Sequence, residues 1–311
     1  MRVGLIDVDG HDFPNLALMK ISAWHKANGD AVEWCLPLAH YDIVYQSKVF
    51  DDIYSPDIDW MPDADKIIKG GTGYGLDNKL PDEIERIYPD YSLYPELTKD
   101  TAYGFLTRGC PRHCKFCIVG DKEGLRSHKV ADLSEFWRGQ KNIVLLDPNI
   151  LACSSRDKVD LLQQLIDSRA VVDFSQGLDI RLTTPYVVEC LNKMRVKRLH
   201  FAWDNPEDDL TPYFKRFTER YKRKSSSGKV VYVLVNFNST MEQNLYRIYT
   251  LRDLGYDPYV MVYDKPNAPK EIRDLQRWVN NRWIFRKCSK FEDYKRGGKY
   301  EDCSNIIQGC I

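Results

Sequence analysis

Apolar residues in this chain fall into short continuous runs separated by segments with a helical period. Val3-Gly4-Leu5-Ile6-Asp7-Val8 is one such run and predicts a buried strand. Pro14 suits a first helical turn. Ala17, Ile21 and Trp24 then recur at i, i+4 and i+7, and Gly29 stands where a helix would stop. Further strands are predicted at 31–35, near 41–45 and at Ile67-Ile68-Lys69. The last runs into Gly70-Gly71-Thr72-Gly73-Tyr74-Gly75. That turn lacks the Lys-Ser/Thr pair of a phosphate loop and the G-x-G-x-x-G spacing. It reads instead as a loop whose backbone can approach a ligand at Gly71, with the Tyr74 ring beside it.

Residues 1–76 therefore read as a small N-terminal α/β unit. Residues 77–99 read as a linker, because Pro81, Pro89 and Pro95, with Tyr88, Tyr91 and Tyr94 between them, continue neither element type. Over 100–285 strands are predicted at 102–107, 143–146, 171–174, 198–202, 230–236 and 258–263. Between them lie a helix carrying Val159, Leu162 and Ile166, and others near 186–194, 210–222, 241–254 and 270–283. Strands that alternate with helices in this way imply a parallel sheet with right-handed crossovers. The ligands of such sheets sit beyond the C-terminal strand ends. Residues 286–311 form a tail with Cys288, Cys303 and Cys310, which are spaced too widely to show a ligand pattern.

The predicted strands end in hydrogen-bonding groups. Asp147 and Asn149 follow the second strand of this region; Gln176, Asp179 and Arg181 follow the third; Trp203 and Asp204 follow the fourth. Asn236, Phe237 and Asn238 close the fifth, and Tyr263 the sixth. Any one of them can be a helix cap or turn former. Together they suggest one polar binding face.

Composition narrows the partners. Lys+Arg and Asp+Glu both total 45 in 311 residues, so no net charge draws the chain to nucleic acid or to an anionic membrane. The basic stretch at 215–229 fits a solvated helix end and loop. No apolar run reaches the ~18 residues of a membrane helix, and no basic segment precedes an apolar core at the N-terminus. Nine cysteines, an odd and scattered set, do not make a secreted disulfide framework. A reducing cytoplasm is the expected location.

Three of those cysteines carry the chemistry: Cys110-Pro-Arg-His-Cys114-Lys-Phe-Cys117, directly after the first strand of the alternating region. Three thiolates in one loop can hold a four-iron four-sulfur cluster and leave one iron without a protein ligand, where an electron-transfer cluster has a fourth Cys. Two other readings stay open: buried structural cysteines, and a Cys3His zinc site completed by His128. The C-x3-C-x2-C spacing, with aromatic Phe116 before the last Cys, resembles the signature of the radical S-adenosylmethionine (SAM) superfamily. The six strand–helix units resemble its partial (βα)6 barrel, here preceded by a small N-terminal α/β unit.

The resemblance implies a 4Fe-4S cluster on Cys110, Cys114 and Cys117, with SAM chelating the open iron. It implies reductive cleavage of SAM to methionine and a 5′-deoxyadenosyl radical, which takes a hydrogen atom from a substrate. It places SAM contacts at the strand ends. Arg181 is then the expected partner of the SAM carboxylate, Asp147 or Asn149 of its amino group, and Asn236 and Asn238 of the ribose or adenine. Phe116, Gln176 and Asp179 complete the expected set. The superfamily's Gly-Gly-Glu pattern after the second strand is absent. The expected partners are a small-molecule substrate and a reductant such as flavodoxin or ferredoxin, not a membrane or nucleic acid.

The layout looks like a trimmed relative of cobalamin-binding or methylthiotransferase-type enzymes. Asp9-Gly10-His11-Asp12-Phe13-Pro14 echoes the cobalamin motif D-x-H-x-x-G, but Pro14 replaces its Gly. Methylthiotransferases carry three further cluster cysteines in the N-terminal domain, where this chain has only Cys35, and no RNA-binding barrel follows. Both departures argue against transfer-RNA methylthiolation. Compact members of this layout in anaerobic bacteria include the queuine lyases of queuosine salvage, which release 7-aminomethyl-7-deazaguanine. A flat purine-type base would be stacked by Tyr74, Trp203, Phe237 or Tyr263. Asp204 would receive its guanidine-like edge.

Overall fold

The structure, a computed structural model, describes residues 1–10, 12–223 and 228–298. It divides into two compact units, Met1–Asp173 and Phe174–Ile311.

The first unit opens with β1 (Arg2–Asp7), α1 (Leu16–Ala27), β2 (Ala31–Trp34), β3 (His40–Ser47) and β4 (Asp63–Gly70). The four strands form a parallel sheet in the order β2-β1-β3-β4. Helix α1 starts where Asn15 accepts the amide of Leu18 and ends before Gly29, whose φ of 81° only glycine adopts easily. Its buried residues include Leu18, Ile21 and His25, so the core face lies one position away from the predicted Ala17, Ile21 and Trp24 stripe. Hydropathy hides His25 because its ring is satisfied internally, Nδ1 by Asp30 at 2.7 Å and Nε2 by the Tyr45 hydroxyl at 3.0 Å. Val3, Leu5, Leu18, Ile21 and Ile84 fill one core. Ile6, Tyr41 and Val44 fill another.

Residues 77–99 hold two single-turn helices, α2 (Asp82–Glu85) and α3 (Pro95–Thr98). The tyrosines of this stretch tie it down: Tyr94 donates to Asp7 at 2.6 Å and Tyr91 to the Phe136 carbonyl at 2.6 Å.

Then come β5 (Thr101–Gly104), β6 (Thr107–Arg108), α4 (Val119–Glu123), β7 (His128–Lys129), β8 (Asn142–Leu145), α5 (Ser155–Ser168) and β9 (Val171–Phe174). β5 and β8 pair in parallel, and β6 and β7 form a small antiparallel ribbon. The run predicted as one strand over 102–107 therefore breaks after Gly104. Asp147 takes the amides of Leu106 and Thr107 out of any ladder. In α5 the buried face is Leu161, Leu162 and Leu165, while Val159 is half exposed. Two apolar stripes overlap on this helix, and the predicted one lost.

The second unit alternates helix and strand up to a closing pair of helices: α6 (Pro185–Lys193), β10 (Arg195–Ala202), α7 (Thr211–Arg220), β11 (Lys229–Val235), α8 (Met241–Asp253), β12 (Asp257–Val262), α9 (Lys270–Asn280) and α10 (Arg282–Lys287). β10, β11 and β12 run parallel, with Phe201 opposite Val231 and Val233 opposite Val260. Phe201, Phe214, Phe217 and Tyr256 pack edge to face behind them. The helix predicted over 270–283 breaks because Asn281 caps a new one, accepting from the Ile284 amide at 3.1 Å.

The chain is thus a mixed α/β protein built on parallel sheets, with an N-terminal α/β unit ahead of a strand–helix alternation. Among the described residues, no helix is long and apolar enough to cross a membrane.

Candidate functional site

The cysteine loop begins just past β5 and β6, and it is pinned at its base. Asp147, beyond β8, accepts from the Thr107 amide at 2.5 Å, the Thr107 hydroxyl at 2.7 Å and the Leu106 amide at 3.2 Å. Burial pushes its carboxyl up to about 6, against the pull of those hydrogen bonds. Gly109 has φ 82°, and a Cβ there would run into the Arg126 carbonyl. The Cys110 amide donates to the Gly124 carbonyl at 3.1 Å and the Gly109 amide to Glu123 at 3.2 Å, which closes the loop on itself. Arg108 lies over the Phe105 ring and bridges Glu123 at 2.8 Å and Glu85 at 3.0 Å. Burial raises the Glu85 carboxyl, but Lys20 and Arg108 outweigh it and hold it below the usual carboxylate range.

Inside the loop, the Cys117 amide donates to the Cys114 carbonyl at 2.9 Å and His113 takes a left-handed φ of 46°. Cys110 and Cys114 are half-buried and Cys117 is exposed. Phe116 between them is half-buried. Asn149 is buried, with its Nδ2 3.6 Å from Cys110 Sγ and its Oδ1 buried without a hydrogen-bond partner. Among the described residues, no three His, Cys, Asp or Glu side chains are gathered closely enough to hold a metal ion. His128, the fourth member of the zinc alternative, is exposed, with Nδ1 3.1 Å from the Arg126 carbonyl.

The glycine-rich turn has a different use from the one expected. A Cβ at Gly71 (φ 95°) would meet the Lys48 carbonyl, and one at Gly73 the Phe50 carbonyl. The close approach these glycines permit is to the chain's own loop after β3. The Tyr74 hydroxyl donates to Asp57 at 2.7 Å, and Lys69 lies over its ring. Burial first, then Asp57, raises its phenol. Asp9 of the cobalamin-like motif accepts the Val49 and Phe50 amides, and His11 lies outside the described residues.

In the second unit, Gln176 is exposed after β9. Asp179 caps the turn Ile180–Leu182 and pairs with Arg181 at 2.8 Å; Arg181 also reaches Asp208 at 2.9 Å. Trp203 is fully buried and donates to the Asp208 carbonyl at 2.7 Å. It is a core residue, so the expectation that it stacks on a substrate is corrected: its indole faces Phe214 and Tyr246 instead. Asp204 accepts from the Leu234 amide at 3.2 Å. Burial pushes its carboxyl up to about 6, opposed by that bond and by Arg247 and Arg181. Asn236 adopts φ 64° and donates to the Tyr263 carbonyl at 2.8 Å, a turn-forming role. Phe237 meets Tyr263 edge to face at 4.9 Å, and Tyr263 and Asn238 are exposed.

Sequence reasoning missed Arg247. Its guanidinium is buried and donates to the carbonyls of Trp203, Asp204 and Leu234 and to Asn244 Oδ1. It fastens the ends of β10 and β11 to α8. The signal available was an arginine one position before Ile248 and three after Asn244, on the buried helix face. Cys288 is buried, and its thiol donates to the Lys290 carbonyl at 3.1 Å. Burial raises that thiol, as for a structural cysteine. Cys303 and Cys310 lie outside the described residues.

No family model matches the chain. The tRNA-2-methylthio-N(6)-dimethylallyladenosine synthase of Pseudoalteromonas atlantica is 24% identical over 228 residues, 67% of this chain and 47% of the relative. The enzyme of the same name from Alteromonas mediterranea is 24% identical over 225 residues, 66% of this chain and 46% of the relative. The chain spans about half the length of these curated relatives. A structure of the radical S-adenosylmethionine methyltransferase TsrM from Kitasatospora setae, with tryptophan and a SAM analogue bound, aligns over 83% of this chain and 67% of its own. Identity there is 11% and the TM-score 0.39, so the superposition is loose.

By residue type the loop offers the donors an iron–sulfur cluster takes, although its three thiols are not drawn together into a ligand set. Three soft thiols stand within eight residues, no carboxylate stands between them, and the base is fixed by Gly109, Glu123 and Asp147.

Proposed function

We propose that this chain is a radical SAM enzyme, with a 4Fe-4S cluster on Cys110, Cys114 and Cys117 and SAM on the iron that lacks a protein ligand. The observation that carries this reading is the C-x3-C-x2-C loop, pinned at both ends, directly after the first strand of a strand–helix alternation. The bound cluster would supply one electron to the SAM sulfonium and so generate the 5′-deoxyadenosyl radical. The protein's part is to position. Gly109 lets the chain turn tightly into Cys110, Asp147 fixes the strand that feeds the loop, and Asn149 holds a buried carbonyl oxygen that needs a donor. The SAM amino group is such a donor. A flavodoxin- or ferredoxin-type protein is the proposed reductant.

The proposed substrate is a modified purine-type base, with cleavage of queuine to 7-aminomethyl-7-deazaguanine as the specific reaction. Support comes from the compact layout and from the Phe237–Tyr263 pair with its exposed Tyr263 ring. A second reading, modification of an adenosine in RNA, is favoured by the names of the two curated relatives. Queuine, SAM and reductant incubated with the reconstituted enzyme should lose queuine and gain the aminomethyl base by mass spectrometry. Unchanged queuine alongside 5′-deoxyadenosine would remove the substrate and keep the enzyme class. A new methylthio mark on added tRNA would favour the second reading.

A further inference from the structure

Resting on the cluster reading above, we infer that Asn149 is a positioning residue that donates its side-chain amide to the sulfur of Cys110 and raises the reduction potential of the cluster. The Nδ2 to Sγ distance is 3.6 Å, a hydrogen-bond length suited to the large sulfur atom. The side chain is held in a rigid place. Its residue is buried, and its backbone carbonyl accepts from the Ser127 hydroxyl at 3.0 Å and from the Ala152 amide at 3.1 Å.

Polarity makes the contact specific. A cluster-bound thiolate is an acceptor only, and a carbonyl turned towards it would repel it. With the NH2 group facing sulfur, Oδ1 is left buried and unpartnered. A core position chosen for packing alone would favour an apolar residue of this size over one with an unmatched oxygen. The amide is therefore explained by polar partners at the site: the sulfur that its NH2 group faces, and the donor proposed above for its oxygen. Reduction adds negative charge that is shared by the cluster sulfurs. An N–H dipole aimed at one of them stabilises the reduced form more than the oxidised form, which shifts the potential upward. The generic signature does not contain this contact; it comes from the residue two positions after Asp147, on the segment leaving β8.

The test is an anaerobic redox titration followed by electron paramagnetic resonance. It uses the reconstituted full chain, with wild type, Asn149→Leu and Asn149→Asp compared at equal iron and sulfide content. Loss of the N–H donor in Asn149→Leu should move the midpoint to more negative potential. Asn149→Asp, which faces sulfur with a carboxylate oxygen, should move it further. Should Asn149→Leu assemble too little cluster, the smaller neutral Asn149→Ala carries the same comparison. Unchanged midpoints at unchanged cluster content would overturn the inference and leave the cluster reading standing. Loss of cluster from both variants would also overturn it, in favour of a purely structural role. A wild-type protein without an iron–sulfur cluster would overturn both.

Discussion

Asp147 and Asp204 each follow a strand end, where a carboxylate reads as a ligand group. In the folded chain each is taken up by backbone amides: Asp147 by Leu106 and Thr107, Asp204 by Leu234. Burial raises both carboxyls from 3.8 to about 6. A raised folded-state value means that the folded protein binds the proton more tightly than the unfolded chain. The stability from this source is complete below about pH 4 and is lost as pH rises through about 6. Each group contributes on the order of 3 kcal/mol at most over that window. Urea unfolding at pH 4.5 and pH 7 should therefore show the advantage of wild type over Asp147→Asn shrinking as pH rises. A constant difference would contradict the assignment. At this scale the cysteine motif is visible in spacing alone. Burial was not legible: Trp203 is as fit for stacking on paper as Tyr263, and only packing separates the core indole from the exposed phenol.

At the scale of elements, hydrophobic period located the long strands and helices of both sheets but not the short α2, α3, α4, β6 and β7, nor the positions where polar groups cut the longer elements. The strand expected over 102–107 stops because Asp147 claims its amides, and the last long helix stops because Asn281 caps a new one. Both are long-range or side-chain decisions, which period does not encode. Glycines show the same limit. Their presence at 71, 73 and 109 was visible, but the carbonyls they press against were not. Gly73→Ala should cost more than ~1 kcal/mol in denaturant unfolding, since the added methyl group has to displace the Phe50 backbone. An unchanged midpoint would refute the close packing of the two loops. Gly109→Ala should act on function: the Cys110 turn shifts, and iron and sulfide content after reconstitution falls well below that of wild type. Full cluster content in that variant would show that the turn is not required.

At the scale of the whole molecule, the mixed α/β class with parallel sheets followed from the alternation of short apolar runs with helical segments. That rhythm survives single-residue errors because it is repeated six times. Substrate identity did not follow, because it depends on a few exposed side chains whose chemistry is shared by many binding faces. The enzyme class depends on one claim, that the Cys110–Cys117 loop carries a cluster able to cleave SAM. Its most direct measurement is 5′-deoxyadenosine formed by the anaerobically reconstituted protein with dithionite and SAM, quantified by liquid chromatography and mass spectrometry. Wild type should form it, and Cys114→Ala should form none above the protein-free background. No product from wild type carrying its full complement of iron and sulfide, or equal product from both proteins, would contradict the claim.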